Sequence, residues 1–159
     1  MHSQVFSTFV EKWVHRDYPP QPVPAESLDR VEARLKTLLP KSYRLFMQSI
    51  GPASADLSLL SAIVDQRLNL DDLQEFFASE AVVEQTEIWR KIRLPETLLA
   101  FAAQGSGDLF CFEVVPQKSP APEDAKVWYF NHEEGEASNL EVSFIPWLAQ
   151  YAAIAKSEA

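Results

Sequence analysis

The chain has 159 residues and one cysteine, which predicts a single domain without a disulfide or a cysteine-rich zinc site, in a reducing compartment such as the cytoplasm. Its formal net charge of −9 is uneven: residues 1–50 carry seven Lys or Arg against five Asp or Glu, a net of +2, and residues 51–159 carry seven against eighteen, a net of −11. The acidic part would repel nucleic acid and attract a basic protein, and no apolar run approaches the roughly 18 residues that span a membrane.

The N-terminal part predicts a helix followed by an extended connector. Apolar residues recur near helical spacing over residues 3–15, with Ser3 as a candidate cap. The proline-rich run Tyr18–Pro24 cannot continue a helix, so it predicts a stiff spacer, with an SH3-type ligand as the alternative. We expect residues 1–24 to pack on a single domain formed by residues 25–159.

Two further helices are predicted before residue 52. The first runs from about Ala25 to Thr37; the second starts at Pro40 and ends before Gly51, a residue suited to the position after a helix. Their apolar faces are formed, in turn, by Leu28, Val31, Leu35 and Leu38 and by Tyr43, Phe46, Met47 and Ile50.

The stretch from Leu57 to Arg90 is less regular. The apolar run Leu59–Val64 predicts a first strand, and Asn69 is a candidate cap for a helix that continues to about Arg90 with a break near Ala78. The inner face of that helix would consist of Leu70, Leu73, Phe76 and Phe77.

Carboxylates concentrate in two regions, which we predict to bind a basic partner. On the expected helix, Glu80, Glu84 and Glu87 align on one face, and like charges at such spacing cost about a few tenths of a kcal/mol. A solvated face that only maintains solubility is the alternative interpretation. The candidate partner-binding residues are Asp71, Asp72, Glu75, Glu80, Glu84 and Glu87 in the first region and Glu133, Glu134 and Glu136 in the second.

The stretch Leu98–Val115 predicts a hairpin at the centre of a small sheet. An apolar arm meets a turn that contains Gly105 and Gly107, and an alternating, half-buried arm follows. A phosphate loop would need a helix after the glycines, whereas a strand follows and Asp108 would repel the anion. We therefore expect Gly105, Gly107 and Asp108 to form a structural turn in which Asp108 accepts amide hydrogen bonds.

The C-terminal part predicts a loop, a strand and a helix. The proline-rich loop 116–124 should be polar and mobile, Val127–Asn131 should be a strand, and the glutamates after it should turn the chain. Ser143 should cap a last helix, and the tail from Lys156 should fray. The whole predicts an α+β fold: an antiparallel sheet of about four to six strands packed by flanking helices.

The residues that could carry chemistry favour a protein without catalytic, cofactor-binding or metal-binding groups. His132 with its neighbouring glutamates does not supply three converging metal ligands, so it is interpreted as a surface or packing residue. Cys111 lies mid-strand among apolar residues and is interpreted as a buried, inert thiol.

Several segments, in order, carry a resemblance to a known family. The hairpin with its Gly-x-Gly-Asp turn resembles the signature of the SUKH superfamily, named in part for the yeast cell-wall regulators Smi and Knr. The other matching segments, within residues 28 to 150, are Val31–Leu35, Leu39–Met47, Val127–Glu133 and Ser143–Leu148. No single motif is diagnostic, but their order and spacing identify the resemblance.

The resemblance implies a non-catalytic, protein-binding role. Bacterial members act mainly as immunity proteins that bind and block a cognate toxin, often a nuclease, whereas eukaryotic members imply a regulatory scaffold for endogenous partners. For an immunity protein the expected partner is a basic toxin domain. We expect the chain to be a monomer or a weak dimer. An unrecognised small-molecule enzyme is a third reading, which a pocket of titratable groups near His132 or Asp108 would favour.

Overall fold

The computed structural model describes residues 2–157, and six helices and five strands lie within them. The tail residues Glu158 and Ala159, for which fraying was expected, lie outside the described part. The helices are α1 His2–Trp13, α2 Ala25–Leu35, α3 Lys41–Ser49, α4 Leu57–Asp65, α5 Ser79–Ile92 and α6 Phe144–Ala152. The strands are β1 Glu75–Phe76, β2 Leu98–Ala103, β3 Leu109–Glu113, β4 Lys126–Asn131 and β5 Glu136–Ser143.

The strands form one antiparallel sheet in the order β1-β2-β3-β4-β5, so the predicted α+β class is confirmed. The predicted hairpin is β2–β3, and β3 is the central strand. The pairing register places five residues in one row across the sheet: Glu75, Ala103, Leu109, Phe130 and Ala137. The turns between β2 and β3 and between β4 and β5 therefore lie at the same end of the sheet.

Helices cover both faces of the hairpin. On one face, Phe101 stacks on Phe112 with ring centroids 4.1 Å apart, and Phe144 of α6 packs edge-on against both rings. On the other face, Thr86 of α5 accepts a hydrogen bond from the Ala100 amide at 2.9 Å. The expectation of a half-buried β3 is therefore wrong: four of its five residues are buried, because α5 covers the face that was expected to be solvated.

The stretch before α5 differs most from expectation. Leu59–Val64 is helical, within α4, which Asp56 caps by accepting the Ser58 amide at 2.9 Å. The helix that was expected to start at Asn69 does not form before α5. The backbone amides of Phe76 and Phe77 instead donate to the Ala53 and Phe101 carbonyls in extended pairing. A helix would have to give up those bonds.

Two helix N-termini meet the loop before β4. The first two amides of α3 donate to the carbonyls of Pro122 and Glu123 at 2.9 and 3.0 Å, and the Asp124 carboxylate accepts the Ile145 amide at the start of α6 at 3.2 Å. Ser143 occupies the N-cap position of α6, but its side chain makes no cap hydrogen bond. The loop was expected to be mobile, whereas this end of it is held by two helices.

The N-terminal helix contributes to the core. Trp13 is fully buried, and its Nε1 donates to the Tyr151 carbonyl of α6 at 2.9 Å. Ser3, the expected cap, lies inside α1. The proline-rich connector packs on the end of α3, where a β-carbon at Gly51 would lie 2.0 Å from the Gln21 carbonyl oxygen, so only glycine fits.

We expect Trp13→Ala to lower the free energy of unfolding by about 3 kcal/mol or more, because it leaves a cavity between α1 and α6 and removes the Nε1 hydrogen bond to the Tyr151 carbonyl. Urea unfolding followed by fluorescence or circular dichroism measures this. Glu11→Ala, an exposed change on the same helix, is the matched control and should change it by less than about 0.5 kcal/mol. Equal stability of the two variants would contradict a structural role for α1.

Candidate interaction surface

Six of the nine candidate carboxylates lie at one end of the sheet, which we call the acidic end. Glu75 begins β1 next to the end of β2, the Asp72 carboxylate accepts the Gly105 amide in the β2–β3 turn at 3.4 Å, and the β4–β5 turn lies beside that turn. The structure thus brings together residues that the sequence placed in two regions. The acidic end consists of Asp71, Asp72, Glu75, Glu133, Glu134 and Glu136.

The carboxylates of the acidic end have few positive neighbours. Among residues 2–157, none of the six lies within 4.0 Å of a Lys or Arg nitrogen. Arg93, after the end of α5, donates to the carbonyl of Glu134 at 3.3 Å rather than to a carboxylate. Glu75, Glu133, Glu134 and Glu136 are exposed, and Asp71 and Asp72 are partly buried. The end of the sheet therefore offers carboxylates without a direct ion pair to a partner, with Arg93 as a positive side chain beside the β4–β5 turn.

Asp108 joins the two turns at the acidic end. Its Oδ1 accepts the backbone amide of His132 at 3.0 Å and a hydrogen bond from the His132 ring Nδ1, and its Oδ2 accepts from the Tyr129 hydroxyl. The same hydroxyl lies 3.2 Å from Gln104 Oε1 in the first turn. The expected role of Asp108 was to accept amides within its own turn; the structure corrects this, since its partners belong to β4 and the turn that follows.

Burial and hydrogen bonding act in opposite directions on the pKa values of Asp108 and Asp72, whereas burial and a neighbouring charge act together on the pKa of Asp71. Burial disfavours the ionised form of Asp108, but the hydrogen bonds from Tyr129 and His132 outweigh it and lower the pKa of Asp108 below its usual range. Burial raises the pKa of Asp71, and the nearby charge of Asp108 raises it further. Burial also raises the pKa of Asp72, against the amide hydrogen bonds from Gly105 and Leu73. A partner's positive charge would therefore stabilise the ionised forms of Asp71 and Asp72.

The glycines of the turns permit close contacts. Gly107 has φ +107°, and a β-carbon there would lie 3.3 Å from the His132 ring. Gly105 does not have positive φ in the structure, but a β-carbon there would lie 2.7 Å from Gln74 Oε1. The backbone conformation of Gly107 favours glycine, whereas a β-carbon at Gly105 would displace only the end of the exposed Gln74 side chain.

The remaining candidates, Glu80, Glu84 and Glu87, lie away from the acidic end, in a groove of about 460 Å³ between α2 and α5. Arg34 of α2 forms an ion pair with Glu87 at 3.1 Å, and Arg30 and Lys91 line the same groove. The ion-pair partner of Glu87 therefore comes from another helix. This surface therefore has mixed charge and differs from the acidic end.

The two residues considered for chemistry are held in place. His132 packs edge-on against Trp89 at 5.8 Å and hydrogen bonds to Asp108, which gives it a packing role. Burial raises the pKa of the Cys111 thiol, against the charge of Arg90, so the nucleophilic thiolate is disfavoured. In the part of the chain that the structure describes, no group of three or more His, Cys, Asp or Glu residues could hold a metal ion.

Sequence reasoning missed the network around Asp108. Tyr129 was assigned only to a strand face, and Gln104 only to a turn. The signal available was weak: one acidic residue after a glycine turn, and a tyrosine and a histidine three apart near a strand end. Only the register, which pairs Leu109 with Phe130, shows that these groups meet.

The fold and the site define an α+β domain with an acidic end held by an internal polar network. No helix within residues 2–157 is long and apolar enough to cross a membrane. The model of the SMI1/KNR4 family (SUKH-1) matches residues 22–150, so the chain belongs to this family. A search of curated proteins found no match.

We expect Asp108→Asn to destabilise the protein by about 1–3 kcal/mol at pH 7, because the charged acceptor of three hydrogen bonds becomes neutral. The lowered pKa of Asp108 means that its contribution is complete well above the ordinary value of 3.8 and is lost as pH falls through the lower folded value. The stability difference between wild type and variant should therefore shrink below about pH 4.

Urea unfolding of both proteins at neutral and acidic pH measures this difference. Asp72 titrates in both proteins with the opposite sign, so the difference is the quantity to follow; the pKa of Asp71 keeps in the variant only the rise that comes from burial. Asp65→Asn, at the exposed end of α4, is the control. A difference that grows as the solution is acidified would contradict the assigned role of Asp108.

Proposed function

We propose that the protein is a non-catalytic binding domain that acts as an immunity protein: it binds a cognate bacterial toxin and occludes its active site. The observation that carries the proposal is the acidic end, six carboxylates without a Lys or Arg partner within 4.0 Å among the described residues. Family membership supports a protein-binding role, since the resemblance to bacterial SUKH members implies toxin neutralisation.

The chemistry of the acidic end fits a basic cleft. A nuclease must present positive charge to a polyanion, and a surface with carboxylates in fixed positions competes for that charge. Asp108 joins the β2–β3 turn, which Asp72 contacts, to the β4–β5 turn, which leads from Glu133 to Glu136, and this reduces the ordering cost of binding. By this proposal the protein acts in the cytoplasm, where it would meet the toxin.

A regulatory scaffold is the second candidate. It is favoured by the family model, which is named for SMI1 and KNR4, and by the resemblance to eukaryotic regulators that bind endogenous partners. The mixed-charge groove between α2 and α5 would suit such a partner. Two arginines line its α2 side, and glutamates with one lysine line its α5 side.

The proposal predicts that charge reversal at the acidic end weakens toxin binding. A pull-down from an extract of the native cells identifies basic toxin domains, and each is purified and its activity titrated with the protein. The triple variant Glu75→Lys, Glu133→Lys, Glu134→Lys should bind the toxin at least about tenfold more weakly, and raised salt should weaken wild-type binding similarly.

The control variant reverses three exposed carboxylates elsewhere: Glu96→Lys, Glu113→Lys and Asp65→Lys. It makes the same change in net charge, so it separates a local effect from a general one. Equal loss in both variants, or no response to either reversal or salt, would exclude the acidic end as the binding surface. A captured partner whose activity is not inhibited would instead favour the scaffold.

A further inference from the structure

A second surface lies beside the acidic end, at the start of α4. Two neighbouring depressions of about 420 and 480 Å³ share Ala55, Asp56, Leu57 and Gln74 in their walls. Leu60 lines the first and Tyr18 lines the second. We call this pair of depressions the α4 groove. Apart from Asp72, its residues were not expected to bind a partner, and the sequence of α4 from Leu59 to Val64 was interpreted as a strand.

Large apolar side chains are exposed to solvent around the α4 groove. Leu57 is 76% exposed and Tyr18 is 78% exposed, although most large apolar residues of this chain are buried. Leu60 and Val64 continue the same face of α4 and are also exposed. Exposed apolar residues that cluster around a depression are typical of a surface that a partner covers.

Carboxylates dominate the charge around the α4 groove, and His15 is a basic side chain that also lines it. Asp56 and Asp72 line it, and no Lys or Arg is among the residues that line either depression. Asp56 caps α4 through Oδ1, and Asp72 accepts the Gly105 amide through Oδ2; neither forms an ion pair among residues 2–157. An apolar anchor beside unpaired carboxylates is complementary to an apolar side chain flanked by Lys or Arg.

We propose that the α4 groove binds a short cationic peptide segment of a partner protein, whose aromatic or aliphatic residues pack on Tyr18 and Leu57 and whose Lys or Arg residues pair with Asp56 and Asp72. This binding site is separate from the acidic end, with which it shares only Asp72. It goes beyond the proposed function, because a cationic segment would bind there whether or not its protein is a toxin.

A second copy of the chain is a poorer occupant. Two symmetric copies that met through this face would place Asp56 and Asp72 of both copies in one interface without a Lys or Arg lining it. Like charges in such a contact oppose association. A cationic segment would neutralise these carboxylates instead of adding to their repulsion, so we expect it to bind in preference to a second copy.

The test uses the full chain and a fluorescent synthetic peptide of about ten residues, with two phenylalanines flanked by lysines. We expect saturable binding, weakened about fivefold or more by Leu57→Ser or Tyr18→Ala, since each removes an apolar contact. The pair Asp56→Asn, Asp72→Asn should also weaken binding and reduce its dependence on salt; asparagine remains a good cap for α4.

Two controls separate docking from general attraction to an acidic protein. Ile92→Ser changes a side chain of α5 that is 57% exposed and outside the α4 groove, and should leave affinity unchanged. A peptide with serine in place of phenylalanine keeps its charge and should bind at least about fivefold more weakly.

Equal binding of the two peptides, or equal effects of Leu57→Ser and Ile92→Ser, would overturn the proposal. So would a wild-type dimer in sedimentation that Leu57→Ser dissociates, since a second copy would then occupy the groove. Toxin inhibition by the Leu57→Ser variant is a separate readout: if it persists, the immunity role stands while the groove has no part in it.

Discussion

The hydrogen bonds to the carboxylate of Asp108 are the interactions on which the acidic end of this protein depends. This carboxylate accepts hydrogen bonds from the Tyr129 hydroxyl and from both the backbone and the ring of His132, so one buried charge joins a hairpin turn, a strand and a second turn. Hydrogen bonds to a charged acceptor are stronger than the same number of hydrogen bonds between neutral groups. The carboxylates beside it are therefore presented from a fixed backbone.

Gathering acidic groups at one end of a sheet opposes folding, and the structure shows where this cost falls. The raised pKa values of Asp71 and Asp72 arise first from burial, and for Asp71 also from the charge of Asp108. On α5 the corresponding repulsion is reduced by Arg34, which pairs with Glu87. The acidic end has no equivalent Lys or Arg pair among the described residues, which is the physical basis for expecting a positive partner there.

The elements that sequence reasoning identified correctly share one property, a local pattern that agrees with tertiary packing. The apolar faces of α2 and α3 and the arms of the hairpin belong to this group. The errors fall where local and tertiary preferences compete. The run around Leu59 is apolar enough for a strand, yet Asp56 caps it as a helix; Phe76 fits a helical stripe, yet pairing with Ala53 keeps it extended.

The sequence by itself determined the fold class, the central hairpin, the family resemblance and the excess of acidic residues, because each depends on local periodicity, glycine position or composition. Only the tertiary structure decided which charges act together. Register and packing bring Asp72 to Gly105, Asp108 to His132 and Arg34 to Glu87 across long separations in the chain. The same packing leaves Tyr18 and Leu57 exposed around one groove, since a side chain's exposure depends on what else covers it.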